Sequence, residues 1–225
     1  MPTPDHQTSP AVLIVDDHVL FSTSVEVTLR GRGINAVRAK SLAAEEVRSL
    51  AARLRPALVL LDLDLGADAD GRPMDGTTLA RGLSADGWTV LILTGSTDRQ
   101  RVAAAVAAGA AGWLSKAVPF DDLIYTILDG FAGRPVMDVN ERERLLAEYR
   151  AVQAERRSGE QVLGRLTRRE RQVLSALEEG KRATVIAQES FVSISTVRSQ
   201  IRSILAKLNV QSQLEAVALA KSLRR

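Results

Sequence analysis

The 225-residue sequence contains no cysteine. Disulfides, thiolate metal sites, zinc fingers and cysteine nucleophiles are thereby excluded together, and the composition fits a reducing compartment. No stretch reaches the roughly 18 apolar residues that a membrane-spanning helix needs. The N-terminal MPTPDHQTSP is polar and proline-rich, without the basic-then-apolar pattern of a secretory signal. A cytoplasmic protein that does not enter a membrane is the expectation. Histidine is almost absent, and His6 and His18 read as non-functional, since neither has a visible set of partner ligands. Internal repeats and low-complexity segments are lacking as well.

What is present is the composition of an ordinary globular protein, 45% apolar and 25% charged. The length suits two domains, each able to bury its own core. Charge is unevenly distributed: residues 1–130 carry 12 Lys+Arg against 16 Asp+Glu, residues 131–160 carry 6 of each, and residues 161–225 carry 12 against 5. A net +7 confined to the last 65 residues marks that end as the candidate binder of a polyanion.

Five short apolar runs punctuate the first half: AVLIVD (11–16), INAVRA (34–39), ALVLLD (57–62), WTVLILT (88–94) and AGWLSK (111–116). They are nearly continuous rather than alternating, so they read as strands buried on both faces of a parallel sheet with helical crossovers. The expected fold is a doubly wound α/β domain with a five-stranded parallel sheet, followed by a small all-α four-helix domain. Gly31, Gly33, Ser41, Pro56 and Asp75-Gly76 mark helix limits. The expected division is a flexible N-terminus (1–10), the α/β domain (11–133), a helical linker (134–161) broken at Ser158-Gly159, and the basic domain (162–225). In the last, Thr167 and Glu170 form a capping box, Gly180 ends the first helix, Ser193 or Ser195 opens the third and Ser212 the fourth.

Asp16 and Asp17 close the first strand, Asp62 the third, Thr94 the fourth and Lys116 the fifth. In a doubly wound sheet these ends converge beside the topological switch point. An oxygen-only cluster suits Mg²⁺ (or Mn²⁺), and a hydroxyl and an ammonium facing it would meet a phosphoryl group held on Asp62. The chemistry indicated is an aspartate nucleophile that accepts a phosphoryl group. Asp121 and Asp122 read as helix N-terminal charges.

Residues 11–130 resemble the receiver domain of bacterial response regulators. The resemblance implies that Asp62 is the phosphoacceptor, that Asp16, Asp17, Asp62 and the backbone carbonyl of Asp64 hold the metal, and that Thr94, Trp113 and Lys116 complete the site. Thr94 and Trp113 would act as the switch. It also implies a sensor histidine kinase as partner. Two departures stand out: Gly66 occupies the position four beyond Asp62 where the family usually has proline, and GADADGRPMDG is longer than usual. Asp68 and Asp70 within it read as solvated loop charges. These departures leave open a phosphorylation-independent receiver that only dimerises.

Residues 166–225 resemble the LuxR-type (NarL/FixJ) helix-turn-helix through LTRRE (166–170), Ile186-Ala187, SISTVR (193–198) and LAKL (205–208). The third helix places Val197, Ile201, Ile204 and Leu208 on one face and Ser195, Arg198, Ser199 and Arg202 on another, as a major-groove helix requires. Thr196, Arg198, Ser199 and Arg202 are the expected base or phosphate contacts on double-stranded DNA. Lys181, Arg182, Lys207 and residues 211–213 are expected at the backbone. The resemblance further implies a homodimer through Leu214, Val217 and Leu223, and a palindromic site. A competing enzyme reading rests on Asp62-x-Asp64 followed by Thr94 and Lys116, the parts of a haloacid-dehalogenase-like phosphatase. That family needs a further acidic pair on a strand after the Lys.

Overall fold

The computed structural model describes residues 10–67, 73–95 and 98–223. The chain divides into two compact units, residues 1–149 and 150–225. In the first, β1 (Ala11–Val15), α1 (Val19–Gly31), β2 (Asn35–Arg38), α2 (Ala44–Leu54) and β3 (Leu58–Asp62) come first. A hairpin of β4 (Asp64–Ala67) and β5 (Pro73–Asp75) interrupts the alternation before α3 (Gly76–Ala85). β6 (Val90–Thr94), α4 (Arg99–Ala107), β7 (Gly112–Ser115) and α5 (Phe120–Phe131) follow, and the division falls within α6 (Val139–Gly164). The second unit holds α7 (Arg168–Glu178), α8 (Ala183–Glu189), α9 (Ile194–Leu208) and α10 (Gln213–Ser222). No helix among the described residues is long and apolar enough to cross a membrane.

The five-stranded sheet runs β2-β1-β3-β6-β7, all parallel. Side chains of a strand alternate between faces, which explains the continuous apolar runs. Leu13, Val15, Val59 and Leu61 pack on one side with Val47 of α2, Leu79 and Leu83 of α3 and Val102 of α4. Val12, Ile14, Leu58 and Leu60 pack on the other with Leu29 of α1 and Ile124 and Ile127 of α5.

Two features depart from the sequence expectation. The first unit continues past Gly133 because the start of α6 packs on the sheet domain: Leu145 is fully buried there, with Leu146 and Tyr149 against the same cluster. Burying one leucine contributes about 2 kcal/mol. Arg142 adds hydrogen bonds to the carbonyls of Ala110 and Ala111 at 3.1 and 2.9 Å. Nor does Ser158-Gly159 break α6, which continues to Gly164. Gly159 is instead a point of close approach, since a Cβ there would lie 2.6 Å from Leu223 Cδ2.

The second unit has one core, built from Leu166, Val173, Leu174, Ile186, Val197, Ile201, Ile204, Leu208, Ala216 and Ala220. Helices α7, α9 and α10 begin where short polar side chains can accept from the free N–H groups of the first turn. Thr167 and Glu170 form the reciprocal capping box of α7, Ser193 caps α9 and Ser212 caps α10.

Candidate functional site

Four adjacent strands end at one edge of the sheet, and their register brings the last residues together. Val15 pairs with Leu61, Asp62 with Leu93, and Thr94 with Ser115. The chain leaves β1 through Asp16, Asp17 and His18, while Lys116 follows β7. Asp62 and Thr94 are buried at the floor of this edge, Asp16 is partly buried, and Asp17 and His18 are exposed at its rim. Helix α3 closes on it tightly: a Cβ on Gly76 would lie 2.2 Å from the carbonyl oxygen of Asp62, so only glycine admits the helix there.

Lys116 Nζ lies 2.5 Å from Asp62 Oδ2 and 2.7 Å from Asp16 Oδ2. The Phe21 ring sits 4.9 Å from the same ammonium, a cation–π contact that helps hold it. Asp62 Oδ1 accepts the backbone N–H of Asp64 at 3.1 Å. Burial pushes the Asp62 carboxyl above the ordinary carboxylate range, against the opposing pull of Lys116 and the Asp64 N–H. Asp16 Oδ2 is buried, and although Lys116 approaches it, no donor among the described residues is aligned with it as a hydrogen bond. Asp16, Asp17, His18 and Asp62 each offer an atom within 4.8 Å of the others. Clustered carboxylates with one oxygen lacking a donor fit a hard divalent cation such as Mg²⁺.

The two departures noted in the sequence are one structural feature. Gly66 lies in β4 with φ +69°, which proline, held near −65°, cannot adopt. A Cβ there would come 3.3 Å from Asp17 Oδ2, so the hairpin forms a wall of the acidic recess. Asp68 and Asp70 lie outside the described residues. The Asp64 side chain turns toward α4, where Arg101 pairs with it and donates to the Leu63 carbonyl at 2.7 Å.

In the second unit, α9 buries Val197, Ile201, Ile204 and Leu208 and exposes Ser195, Thr196, Arg198, Ser199 and Arg202. Among the described residues the guanidiniums of Arg182, Arg198 and Arg202 take no hydrogen-bond or ion-pair partner. Cations left unpaired on an exposed helix face are available to phosphates and base edges.

The family model for the response regulator receiver domain matches residues 12–128, and that for the luxR family of bacterial regulatory proteins matches residues 164–220. The chain is 34% identical over 211 residues to the nitrate/nitrite response regulator protein NarP of Escherichia coli, covering 92% of this chain and 93% of that protein. It is 31% identical over 216 residues to the DNA-binding transcriptional activator DevR/DosR of Mycobacterium tuberculosis, covering 95% of each. Transcriptional regulatory protein LiaR of Bacillus subtilis is 30% identical over 216 residues, covering 93% and 95%. The chain belongs to the NarL/FixJ family of response regulators.

The fold agrees: the RcsB response regulator of Salmonella typhimurium, 22% identical, aligns over 97% of this chain and 99% of that one with a TM-score of 0.50. In this response regulator the receiver is joined to a LuxR-type DNA-binding domain. The structure brings Asp16, Asp17, Asp62 and Lys116 into direct contact range and sets Thr94 beside them at the end of the neighbouring strand. Trp113 pairs in register with Ile92 and packs, half-buried, against the same core cluster. Phe21 and Arg101 carry no signal in the sequence, and His18, which reads there as non-functional, directly follows the acidic pair and lies among the clustered carboxylates. Leu214 is exposed on α10, whereas Val217 packs on the unit's own core and Leu223 against Gly159.

The two lysines expected at the DNA backbone are engaged within the chain. Lys181 pairs with Glu179 and Glu189 at 3.0 and 2.8 Å. Lys207 Nζ lies 2.6 and 2.8 Å from the two carboxylate oxygens of Glu170, which also accepts from the Ser203 hydroxyl and the Thr167 N–H. Burial opposes the charged form of Glu170, but these hydrogen bonds outweigh it and bring its pKa from 4.5 down to about 2. Because the folded value is the lower one, the stabilisation is complete above about pH 5 and is lost as pH falls toward 2. Glu170→Gln is expected to cost the DNA-binding unit about 2 kcal/mol at neutral pH and to flatten that acid dependence. Trp88 and Trp113 both lie in the first unit, so a loss seen by far-UV circular dichroism and not by tryptophan fluorescence places the effect correctly.

Proposed function

We propose that this response regulator accepts a phosphoryl group on Asp62 from a sensor histidine kinase, and that the modification alters dimerisation and sequence-specific binding of double-stranded DNA. The observation that carries this reading is the buried Asp62 carboxylate, 2.5 Å from Lys116 Nζ and beside an acidic pair. Asp16, Asp17, Asp62 and the Asp64 carbonyl are the residues that would hold Mg²⁺ or Mn²⁺. The cation would neutralise the phosphoryl oxygens and favour in-line transfer.

Asp62 attacks phosphorus, the bond from phosphorus to the kinase imidazole breaks, and the imidazole departs with its electron pair. Lys116 then pairs with a phosphoryl oxygen, and the Thr94 hydroxyl donates to another. Trp113 follows Thr94 inward, and the surface around α4, β7 and α5 changes. The functional receiver is residues 11–133, with residues 134–161 as a helical linker and 162–225 as the DNA-binding domain. There α9 would enter the major groove of a palindromic site, each copy of a homodimer reading one half. The exposed side of α10 around Leu214 is the proposed dimer contact.

The test is DNA binding by the full chain, with sites selected from a random pool. Acetyl phosphate with Mg²⁺ is expected to tighten binding of the wild type about tenfold and to leave Asp62→Ala unchanged. If the wild type takes up no phosphoryl group on a phosphate-retarding gel yet binds DNA with full affinity, the receiver works without phosphorylation. The hairpin beside Asp17 would be its structural reason.

A further inference from the structure

Beside the carboxylates, Thr94 and Lys116, the recess holds the His18 imidazole, with Lys116 Nζ 3.5 Å from its Nδ1. His18 Nδ1 lies 2.8 Å from Asp17 Oδ1, 3.4 Å from Asp16 Oδ1 and 3.5 Å from Asp62 Oδ2. Neighbouring donors around a six-coordinate cation with bonds near 2.1 Å stand about 3 Å apart. The imidazole nitrogen stands at that spacing from Asp17 and within about half an ångström of it from Asp16 and Asp62. The His18 backbone is itself fixed by this cluster, because its N–H donates to Asp16 Oδ1 at 2.8 Å. Although His18 holds the N-cap position of α1, its side chain makes no capping hydrogen bond, so helix initiation does not account for where the ring points. An independent sign is Asp16: its side chain is 2% exposed, and although Lys116 pairs with its Oδ2 at 2.7 Å, no hydrogen-bond donor among the described residues is aligned with that oxygen.

We propose that His18 is a nitrogen ligand of the divalent cation at this site and biases it toward first-row transition metals over Mg²⁺. The inference rests on the metal-site reading above and adds to it a ligand and a selectivity. Its chemical basis is that carboxylates alone suit Mg²⁺, whereas an imidazole raises affinity along the series from Mn²⁺ to Ni²⁺ far more than for Mg²⁺. The ring is 63% exposed on the rim, so it can join the cation's shell without the buried carboxylates having to move.

The experiment uses the full chain without a phosphodonor and compares wild type, His18→Ala, His18→Asn and Asp17→Asn. Mn²⁺ is examined by electron spin echo envelope modulation, which detects a directly bound imidazole ¹⁴N, and Ni²⁺ and Mg²⁺ affinities are measured by calorimetry. The expected result is a ¹⁴N coupling in the wild type that both His18 variants lose. Ni²⁺ affinity should fall about tenfold or more in those variants, while Mg²⁺ affinity shifts less than about threefold. Asparagine retains a hydrogen-bond donor toward Asp17, so rescue by His18→Asn would assign the ring to positioning and overturn the proposal. Mn²⁺ binding that needs Asp17 but shows no ¹⁴N coupling, or a coupling that survives both His18 variants, also overturns it while leaving the metal site intact. Absence of any Asp17-dependent metal binding would overturn the proposal together with the reading beneath it.

Discussion

Asp62→Asn is expected to reduce phosphoryl incorporation from acetyl phosphate by at least about a hundredfold, to background on a phosphate-retarding gel. Asparagine matches aspartate in shape and can still accept the Asp64 N–H with its amide oxygen, so the loss would report the missing nucleophile and not a collapsed recess. Stability separates the two explanations. Burial holds the Asp62 carboxyl above its ordinary range, which means the ionised form is less favoured in the folded protein than in the unfolded chain. A neutral amide removes that penalty, so the unfolding midpoint followed by tryptophan fluorescence is expected to stay level or rise. Inactivity with a lower midpoint would mean that Asp62 acts mainly as the partner of Lys116. Stoichiometry bears on the enzyme alternative. Asp121 and Asp122 stand in the first turn of α5, so the acidic pair that a phosphatase of the dehalogenase type needs after Lys116 is not on a strand. One phosphoryl group per chain is expected, without sustained turnover of phosphomonoesters.

The parts of this site that were legible in the sequence are those tied to a repeating pattern. Each strand is a short apolar run, and a residue at its end can be assigned to the C-terminal edge once the sheet is known to be parallel. Asp16, Asp17, Asp62, Thr94 and Lys116 were all visible in that way. The elements that escaped have no periodicity to announce them. β4 and β5 are four and three residues long, so alternation cannot be recognised, and their pairing depends on a bulge between Asp64 and Ala67. His18 has no ligand set along the chain because its partners Asp16 and Asp62 belong to different strand ends, brought within 3.5 Å by the sheet register. Arg101 and Lys207 look like surface cations until Asp64 and Glu170, both 37 residues away, are placed beside them. Gly159 carried the reverse ambiguity, since a residue that weakens an isolated helix is also one that lets a neighbour pack closely.

That distinction between engaged and available cations gives the DNA-binding unit its sharpest test. Arg198→Ala and Arg202→Ala are each expected to weaken binding to the selected site by about 1–3 kcal/mol if the guanidinium reads a base edge. If it meets a phosphate, the loss is instead uniform across sequences, and the slope of log affinity against log salt falls by about one per contact. In a homodimer every substitution occurs twice, and both effects double. Lys207→Ala is the necessary contrast. Its ammonium is 2.6 Å from Glu170, so removing it should lower the stability of the unit while leaving the salt slope unchanged at temperatures where the fold persists. Unchanged affinity together with equal salt slopes for wild type and both arginine variants would remove α9 as the DNA-facing helix. A Lys207 variant that lost a full unit of slope would mean that the Glu170 pair opens on DNA, at the cost of leaving a carboxylate that is 7% exposed without its ammonium partner.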